Sequence, residues 1–275
     1  MELPDKPITE GRTAEIYAWG EGRVLKLLRP GFPPGMIQQE EAITRAVYQA
    51  GIAAPRIYEV IEVDGRPGIV YERIDGPSLL AVLEKRPLHL REQAAQLARL
   101  QASIHTHSYK NAPAGSPFQK QILANQIQEA EVLPEAVRQA VLSLLDRLPG
   151  GETLCHNDFH PLNVLVGPHG PVIIDWESAS LGNPCADVAR TCLTMTLAQL
   201  PEGTSSFFKK FAEVFLRAYI SAYIASYRVL TKNPLSDLRD WQTVQAAAKV
   251  QVEVPSNRER WLKVIYKGLK VTRYE

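Results

Sequence analysis

Cysteine and net charge are both scarce in this sequence. Its 275 residues include three cysteines, Cys155, Cys185 and Cys192, and no two of them form a CxxC motif. An odd, scattered set argues against a disulfide framework and against a zinc site, and reduced thiols are typical of cytoplasmic proteins. The 31 basic residues nearly balance the 30 acidic ones, so the formal net charge is +1. This balance argues against nucleic acid or a membrane surface as the main partner.

Long hydrophobic runs are missing as well. The first residues, MELPDKPITEG, are polar and contain two prolines, so they predict no signal peptide. No segment approaches the roughly 18 consecutive apolar residues of a membrane helix. The most apolar stretch, Phe211–Leu230, is interrupted by Glu213, Arg217 and Arg228, and it predicts a buried amphipathic helix. A hydrophobic content of 45% is enough for a substantial core, in one large domain or in two lobes.

The first seventy-odd residues have the patterns of strands. Short apolar runs are separated by turn residues, a Gly-Glu-Gly turn in one case and Asp64-Gly65 in another. One stretch has helical spacing instead, with Ile43 and Val47 on one face. The predicted strands are Ala14–Trp19, Arg23–Leu28, Arg56–Val63 and Gly68–Glu72, and the predicted helix is Met36–Ala50.

After Gly76 and Pro77 the pattern becomes mainly helical. Two strand-like runs interrupt it, Asn163–Val166 and Pro171–Ile174, joined by a glycine-containing turn. The predicted helices are Leu79–Glu84, Arg91–Thr106, Ile122–Glu131 and Glu135–Leu148, and helical patterns continue from Asp187 onwards. We therefore predict an α+β fold with two lobes. Residues 1–75 form a small antiparallel β lobe with one helix, and residues 76–275 form a large, mainly helical lobe that contains the hairpin.

The most informative motif is His156-Asn157-Asp158-Phe159-His160-Pro161-Leu162-Asn163, which is followed by Asp175 at the end of the second hairpin strand. Phosphoryl transfer needs a carboxylate that orients the incoming hydroxyl and accepts its proton, and it needs hard oxygen ligands for magnesium. Asp158 fits the first need, and Asn163 and Asp175 fit the second. Four residues separate Asp158 from Asn163, as in the catalytic loop of kinases. Each of these residues alone has a structural interpretation as a turn or strand-end residue, but their joint spacing favours the catalytic one.

Lys26 and Glu40 form a second candidate pair. Lys26 lies in a predicted strand and can neutralise nucleotide phosphates, and a glutamate on the following helix can hold it in place. Glu40 shares a helix face with Ile43 and Val47, which favours it over the neighbouring Glu41. Glu41 remains an alternative from sequence alone.

These residues resemble the aminoglycoside phosphotransferase and choline kinase superfamily. The resemblance spans most of the chain in the family's order, and its specific motifs are Leu25-Lys26, Glu40, Gly51–Pro55, Glu72–Gly76, His156–Asn163, Ile174-Asp175, Gly182–Pro184 and Asp187. It implies a bilobal protein-kinase-like fold and a small-molecule kinase that moves the γ-phosphoryl group of ATP, or of GTP, to a hydroxyl.

The resemblance also implies roles for individual residues. Asp158 becomes the catalytic base, and Asn163 and Asp175 become ligands of Mg²⁺. Lys26 contacts the phosphates, and the backbone of Glu72 and Ile74 meets the purine edge. It further implies that Asp187 and His156 fix the shape of the catalytic loop.

Several positions depart from the pattern of the superfamily. Asn157 and Leu162 stand where many relatives have glycine, and the phosphate loop Gly11–Glu15 has a single glycine. The missing GxGxxG motif argues against a protein kinase. Tyr71 precedes the purine-contacting segment, where an aromatic ring either narrows the pocket and favours GTP or belongs to the core.

The sequence does not name the acceptor, but its charge is informative. From residue 201 onwards the sequence contains thirteen basic and seven acidic residues. This excess of positive charge disfavours a polycationic acceptor. Arg260, Lys263, Lys267 and Lys270 share a helix face, which forms either a solvated surface or an anion-binding wall. A catalytically silent nucleotide-binding pseudokinase or scaffold is the alternative to an active enzyme.

Overall fold

The computed structural model describes residues 3–107, 118–199 and 203–271. In these ranges the strands are β1 (Thr9–Glu10), β2 (Ala14–Ala18), β3 (Arg23–Leu28), β4 (Ile57–Val63), β5 (Arg66–Glu72), β6 (Thr153–Cys155), β7 (Val164–Gly167), β8 (Gly170–Ile173) and β9 (Ser180–Gly182). The α-helices are α1 (Gly35–Gln49), α2 (Leu79–Lys85), α3 (Leu90–His105), α4 (Gln119–Gln128), α5 (Glu135–Arg147), α6 (Pro184–Leu197), α7 (Ser206–Thr231), α8 (Leu238–Lys249) and α9 (Pro255–Leu269).

The chain divides into two compact units. The first unit contains the described residues up to Lys85 together with Pro161–Ala179, and the second contains the remaining described residues. The hairpin of β7 and β8 therefore belongs to the same unit as the N-terminal sheet, although many residues separate them in sequence.

A five-stranded antiparallel sheet forms most of the first unit, with the strand order β1-β2-β3-β5-β4. The predicted Gly-Glu-Gly turn joins β2 to β3, and Gly20 and Gly22 take positive φ values of 74° and 63° there. Asp64 and Gly65 also have positive φ, 52° and 72°, which matches the twist of a two-residue hairpin turn. The sequence thus placed both hairpins correctly, because their turns need residues that tolerate left-handed backbone.

Side chains alternate between the two faces of this sheet, as the period of a strand requires. Leu25 and Leu27 of β3 pack on one face with Val70. Leu28 lies on the other face, where it packs with Ile37 of α1. Lys26 alternates with Leu25 and Leu27, and it therefore points to the face that α1 covers.

The hairpin of β7 and β8 is attached to the segment that follows β5. The amide of Val166 donates to the carbonyl oxygen of Pro77 at 2.8 Å. Gly76 makes this approach possible, because a Cβ at that position would lie 2.0 Å from the carbonyl oxygen of Val166. The amide of Ile173 also donates to the carbonyl oxygen of Ala53 at 2.7 Å. These contacts fix the hairpin within the first unit.

The second unit is mainly helical. Helix α3 packs along α7, and α8 contacts α4, α5, α6 and α9. A short antiparallel pair of β6 and β9, which the sequence did not predict, adds to the helices. Strand β6 leads directly into the motif that begins at His156.

Helix α7 corrects one expectation. Tyr219, Tyr223 and Tyr227 recur every four residues and are buried, as predicted for an amphipathic helix. The first turns are exposed, however, with Phe207 82% and Phe211 55% accessible. The stretch around Phe211 is therefore not buried, and only the C-terminal half of the helix belongs to the core.

The predicted fold class is confirmed. A small antiparallel sheet occupies the N-terminal part and helices form most of the rest. Within the part of the chain that is described, no helix combines the length and apolar character that a membrane span requires.

Candidate active site

Lys26 lies at the centre of a charged cluster in the first unit. Its ammonium nitrogen is 2.8 Å from Oε1 of Glu40, 2.8 Å from Oδ1 of Asp175 and 3.4 Å from Oε2 of Glu177. These side chains come from β3, from α1 and from the segment after β8. Only 11% of the Lys26 side chain is exposed, so its charge is largely shielded from water.

The carboxylates keep Lys26 in its cationic form. Burial alone would lower the pKa of Lys26, but the charges of Glu40, Asp175 and Glu177 outweigh this effect and raise the pKa. The three carboxylates also lie close together, since one oxygen of each falls within 4.8 Å of the others. Three acidic groups around one ammonium leave an excess of negative charge, which suits a further cation.

Tyr71 provides a second donor to Glu40. Its hydroxyl donates to Oε1 of Glu40 at 2.9 Å, the same oxygen that receives Lys26. Glu40 is 2% exposed, and burial raises the pKa of its carboxyl against the lowering effect of Lys26. Glu41, the alternative from sequence, instead pairs with Arg45 at 2.9 Å. The position of Glu40 on the helix face therefore predicted correctly that Glu40, and not Glu41, contacts Lys26.

Removing the Tyr71 hydroxyl should destabilise the protein. We expect Tyr71→Phe to lower the free energy of unfolding by about 1.5–3 kcal/mol, because a hydrogen bond to a buried charged group is lost. Tyr58→Phe is the matched control, since Tyr58 is exposed and keeps its ring over the guanidinium of Arg23. Chemical denaturation of both variants tests this, and equal shifts would show that the Tyr71–Glu40 bond adds nothing.

Asn163 and Asp175 lie at the same end of the β7–β8 hairpin. Val164 pairs with Ile173, and the amide of Ile174 donates to the carbonyl oxygen of Asn163 at 3.0 Å. Asp175 follows with φ of 66°, a left-handed conformation that is uncommon outside glycine and often occurs at functional sites. Its side chain is 42% exposed, so the carboxylate can meet both Lys26 and a ligand.

Glu177 links the charged cluster to the segment Gly11–Glu15. The hydroxyl of Thr13 donates to Oε2 of Glu177 at 3.1 Å, and Lys26 approaches the same oxygen. Sequence reasoning left Thr13 and Glu177 out of the site. The position of Glu177, two residues after Asp175 in the next turn, could have indicated that it lies near the site. Trp176 between them is buried and donates to the carbonyl oxygen of Ile173 at 2.9 Å, so it is a core residue.

Glu72 and Ile74 lie at the end of β5. The amide of Glu72 donates to the carbonyl oxygen of Arg56 at 2.8 Å, which extends the sheet by one bond. The amide of Ile74 donates to no residue in the described part of the chain.

Asp158 belongs to the second unit. Its side chain is 30% exposed, with Arg190 Nη2 at 3.6 Å from Oδ1 and His160 Nε2 at 3.7 Å from Oδ2. Burial alone would raise the pKa of Asp158, but the interaction with His160 and the charges of Arg190 and Lys249 outweigh it, so the pKa lies below its usual value. Asp158 is therefore ionised at neutral pH.

The loop that carries Asp158 is anchored by Asp187. The Oδ2 atom of Asp187 accepts the amide of His156 at 3.1 Å, and its Oδ1 atom accepts the amide of Asn157 at 2.6 Å. Gln101 and His105 of α3 donate to Oδ2 at 3.0 Å and 2.9 Å. Asp187 is fully buried, so these four bonds satisfy a charge that water does not reach.

Asn157 takes a left-handed backbone conformation, which favours glycine. Its φ is 60°, which glycine adopts without cost and asparagine tolerates. Its side chain adds contacts that glycine lacks: the amide donates to Ser180 at 2.8 Å, and the carbonyl oxygen accepts from Gln119 at 2.6 Å. Asn157 thus forms the turn and bonds it to β9 and α4.

The structure thus brings Lys26, Glu40 and Asp175 into contact and places Asn163 at the same hairpin end, while Asp158 lies in the other unit. Arg190 was missed by sequence reasoning. The spacing along α6 could have predicted it. Arg190 follows Asp187 by three residues, so both lie on the face of α6 that contacts the loop.

Comparison with known proteins supports a common fold and identifies the family. Residues 6–231 match the phosphotransferase enzyme family. Over 188 residues the chain is 27% identical to acyl-CoA dehydrogenase family member 10 of Mus musculus. The matched region covers 58% of this chain and 17% of the mouse protein.

Two solved structures illustrate the similarity of fold. A thermostable mutant of aminoglycoside phosphotransferase APH(4)-Ia, in a ternary complex with ADP and hygromycin B, superposes with a TM-score of 0.67 at 13% identity, covering 96% of this chain and 92% of that chain. Choline kinase LicA from Streptococcus pneumoniae gives a TM-score of 0.60 at 18% identity, covering 98% and 94%. Because the family model matches residues 6–231, which is most of the sequence, the chain belongs to the phosphotransferase enzyme family.

Proposed function

We propose that this protein transfers the γ-phosphoryl group of ATP, or of GTP, to a hydroxyl of a small molecule. The carrying observation is the contact of Lys26 with Glu40 and Asp175, both at 2.8 Å. Three residues from separate segments converge there into the lysine–glutamate–aspartate arrangement that phosphoryl transfer uses. The similar fold with bound ADP and hygromycin B supports a nucleotide donor and a small acceptor.

In this proposal each charged residue has one task. Asp158 accepts a hydrogen bond from the acceptor hydroxyl, orients its oxygen towards the γ-phosphorus and finally receives the proton. Lys26 neutralises charge on the phosphates, and Glu40 and Tyr71 hold its ammonium in position. The N–H of Ile74 and the backbone of Glu72 bind the purine edge.

The residues of the hairpin end fit a magnesium site. Asp175 and Glu177 provide carboxylate oxygens close together, and Asn163 adds an amide oxygen from the same hairpin end. Oxygen ligands of this kind are the ones that Mg²⁺ prefers. Bound there by Asn163 and Asp175, the ion would neutralise charge on the phosphate oxygens.

In this proposal either ATP or GTP serves as the phosphoryl donor. Tyr71 is buried and its hydroxyl is engaged by Glu40, which supports a role in the core beside any effect on the nucleotide. We also propose a cytoplasmic location, because the nucleoside triphosphate donor is supplied there.

Replacement of Lys26 tests the proposed function. We expect Lys26→Met to lower kcat/KM for the nucleotide by about 10²–10³-fold, since a preorganised positive group is removed from the developing phosphate charge. Release of nucleoside diphosphate, with ATP and GTP in parallel over a broad panel of hydroxyl acceptors, measures the effect. Lys85→Met is the control, because Lys85 is an exposed lysine at the end of α2 in the same unit.

The same assay distinguishes the enzyme from its alternative. Unchanged turnover in Lys26→Met, with Lys85→Met as reference, would contradict the role of Lys26. Nucleotide binding without transfer to any acceptor would instead favour the catalytically silent nucleotide-binding protein.

A further inference from the structure

A pocket of about 280 Å³ lies on the surface of the first unit, between the C-terminal half of α1 and the start of β4. Both elements belong to that unit. None of its lining residues takes part in the proposed phosphoryl transfer, so the pocket is a separate candidate site. The lining residues are Arg45, Tyr48, Gln49, Arg56, Ile57 and Tyr58.

A β-bulge shapes the β4 side of this pocket. The register between β4 and β5 shifts between Ile57 and Glu59, so Tyr58 has no partner on β5. A bulge bends its strand and re-aims the side chain that it carries. Tyr58 is 36% exposed, and Tyr48 of α1 is 46% exposed. Two aromatic rings of the lining therefore keep part of their surface open to solvent.

Two guanidinium groups lie beside the ring of Tyr58. Those of Arg23 and Arg56 are 4.4 Å and 5.2 Å from its centroid, and both arginines are exposed. Among the described residues, neither of these side chains forms a hydrogen bond or an ion pair. An aromatic ring restrains a guanidinium without using its N–H groups. The donors of Arg56 thus lie at the pocket with no acceptor in the described part of the chain.

Arg45 adds a third guanidinium, which is fixed in the wall of the pocket. Its Nη1 donates to the carbonyl oxygen of Ile57 at 3.2 Å, and its Nε donates to Oε1 of Glu41 at 2.9 Å. These two bonds join α1 to the start of β4. The Arg45 side chain is 40% exposed, so its guanidinium is accessible from solvent as well.

The acidic residues nearby do not neutralise Arg56. Glu41 is paired with Arg45. Glu72 accepts the backbone amide of Arg56 at 3.3 Å and not its guanidinium. Glu59, the residue after Tyr58, forms no ion pair with any described residue. The positive charge of Arg56 is therefore available at the pocket.

The basic face of α9, which the sequence suggested as an anion-binding wall, differs in this respect. Arg260 donates to the carbonyl oxygens of Thr196, Leu197 and Ala198, and so it caps the C-terminus of α6. The lysines of that face, Lys263, Lys267 and Lys270, are exposed. The guanidinium of Arg260 is thus engaged by the backbone, whereas that of Arg56 is not.

The lining of the α1–β4 pocket indicates the chemistry of its ligand. Guanidinium groups bind carboxylates and phosphates through paired, charge-assisted hydrogen bonds. Tyrosine rings pack against flat apolar groups. The pocket volume is close to the lower end for small-molecule sites, which is about 300 Å³. A compact molecule with a ring and a negative charge meets all three conditions.

We propose that the α1–β4 pocket binds a small organic anion in which a flat ring carries a carboxylate or a phosphate. The anionic group accepts hydrogen bonds from Arg56 and Arg45, and the ring packs beside Tyr48. This inference goes beyond the proposed function, because it uses none of the residues assigned to phosphoryl transfer.

The test compares ligands that differ in charge or in the ring. Benzoate, phenyl phosphate, benzamide, benzylamine and inorganic phosphate form the panel, and naphthoate and naphthyl phosphate extend it to larger rings. Ligand-observed NMR titration of the wild-type protein gives Kd for each. We expect the best aromatic anion to bind at least about tenfold more tightly than benzamide, benzylamine or inorganic phosphate, a factor that corresponds to about 1.4 kcal/mol. The carboxylates and phosphates show which anion is preferred.

Variants then locate the binding site. In Arg56→Met we expect Kd for the best aromatic anion to rise at least about tenfold, because the unpaired guanidinium is removed. Tyr48→Ala should act in the same direction, and it keeps the test valid where Arg56→Met fails to fold. Arg99→Met is the matched control, since Arg99 is an exposed arginine of α3 in the other unit. Lys26→Met should also leave Kd unchanged, which separates this pocket from the proposed phosphate contact.

Several outcomes would overturn the inference. Saturable binding of no aromatic anion at millimolar concentration would exclude the site, and equal Kd values for benzoate and benzamide would exclude the role of charge. Inorganic phosphate that binds as tightly as phenyl phosphate would exclude the role of the ring. Binding that is lost in Lys26→Met but unchanged in Arg56→Met would place the anion at the Lys26 cluster. Each of these results would leave the proposed phosphoryl transfer standing, since that proposal is tested by turnover.

Discussion

Asp158→Asn is expected to lower kcat by about 10²–10⁴-fold, the range for loss of a positioned general base. The amide has almost the same size as the carboxylate, but it cannot take the proton of the acceptor hydroxyl. Lys26 and Asp175, the proposed nucleotide-side residues, belong to the first unit and are not altered, so KM for the nucleotide should change little. Steady-state release of nucleoside diphosphate with the best acceptor measures both constants.

The matched control for this variant is Asp240→Asn, an exposed aspartate in the first turn of α8. It removes the same charge from the same unit without altering the loop that carries Asp158. Turnover equal to wild type in Asp158→Asn would contradict the assignment of Asp158, whatever the control shows.

The environment of Asp158 also predicts how the reaction depends on pH. Burial would raise its pKa, but His160, Arg190 and Lys249 together lower it from the ordinary value of 3.8. The carboxylate is thus a weak base, and as the proposed base it would accept the acceptor's hydrogen bond first and its proton late, which suits a loose phosphoryl-transfer transition state. We expect no acid limb in kcat from Asp158 above about pH 4. An acid limb at about pH 6 that disappears in Asp158→Asn would contradict this account.

Local patterns account for what the sequence could predict. The alternation in β3 places Lys26 on the face that α1 covers, and the phase of α1 brings Glu40 to meet it. Turn residues such as Asp64-Gly65 give the hairpins because their backbone preferences are intrinsic. Spacing within one short loop and hairpin likewise gives Asp158, Asn163 and Asp175 as candidates.

The missed residues depend on contacts between distant segments. Thr13 reaches Glu177 across 164 positions, and no local pattern encodes that approach. Arg190 reaches Asp158 only because α6 is placed against the loop. The exposed first turns of α7 were missed for the opposite reason, since an apolar composition such as that around Phe211 predicts burial whether or not a partner surface exists.

Asp187→Asn is expected to lower the free energy of unfolding by about 3–5 kcal/mol, the cost of breaking a buried charged network. The carboxylate accepts four hydrogen bonds, from the amides of His156 and Asn157 and from the side chains of Gln101 and His105. An asparagine amide offers one acceptor oxygen and brings two donors of its own, so buried donors would face each other. Such unsatisfied groups retain their full desolvation cost.

The hydrogen-bond network extends beyond these donors, so the loss of the Asp187 carboxylate also disturbs bonds further away. Tyr227 contacts Nδ1 of His105 at 2.6 Å, and Tyr223 donates to the side-chain oxygen of Gln101. Because Nε2 of His105 faces a carboxylate, a neutral His105 carries its proton there and accepts from Tyr227. Residues of α3, α6 and α7 therefore form one hydrogen-bond network around the carboxylate of Asp187. The loop that carries Asp158 is bonded to the same carboxylate.

Chemical denaturation of Asp187→Asn measures this effect, with Asp146→Asn on the exposed surface of α5 as the control. Under the proposed function, phosphoryl transfer should fall along with stability, since the amides of His156 and Asn157 hold the loop that carries Asp158. A variant that is as stable as Asp146→Asn would show that Asp187 does not anchor the loop.

The pH dependence of this difference gives a sharper test. Burial would raise the pKa of Asp187, but hydrogen bonding and charge from His105, with Gln101 and His156, lower it below 3.8 in the folded protein. A lowered folded pKa stabilises the protein above the unfolded value, and this stabilisation is lost as the pH falls through the folded value. The difference in unfolding free energy between wild type and Asp187→Asn should therefore stay constant from about pH 7 to about pH 5 and shrink below about pH 4. A difference that grows on acidification would mean that the carboxyl is protonated in the folded protein and that its amide bonds to the loop are weaker than the distances indicate.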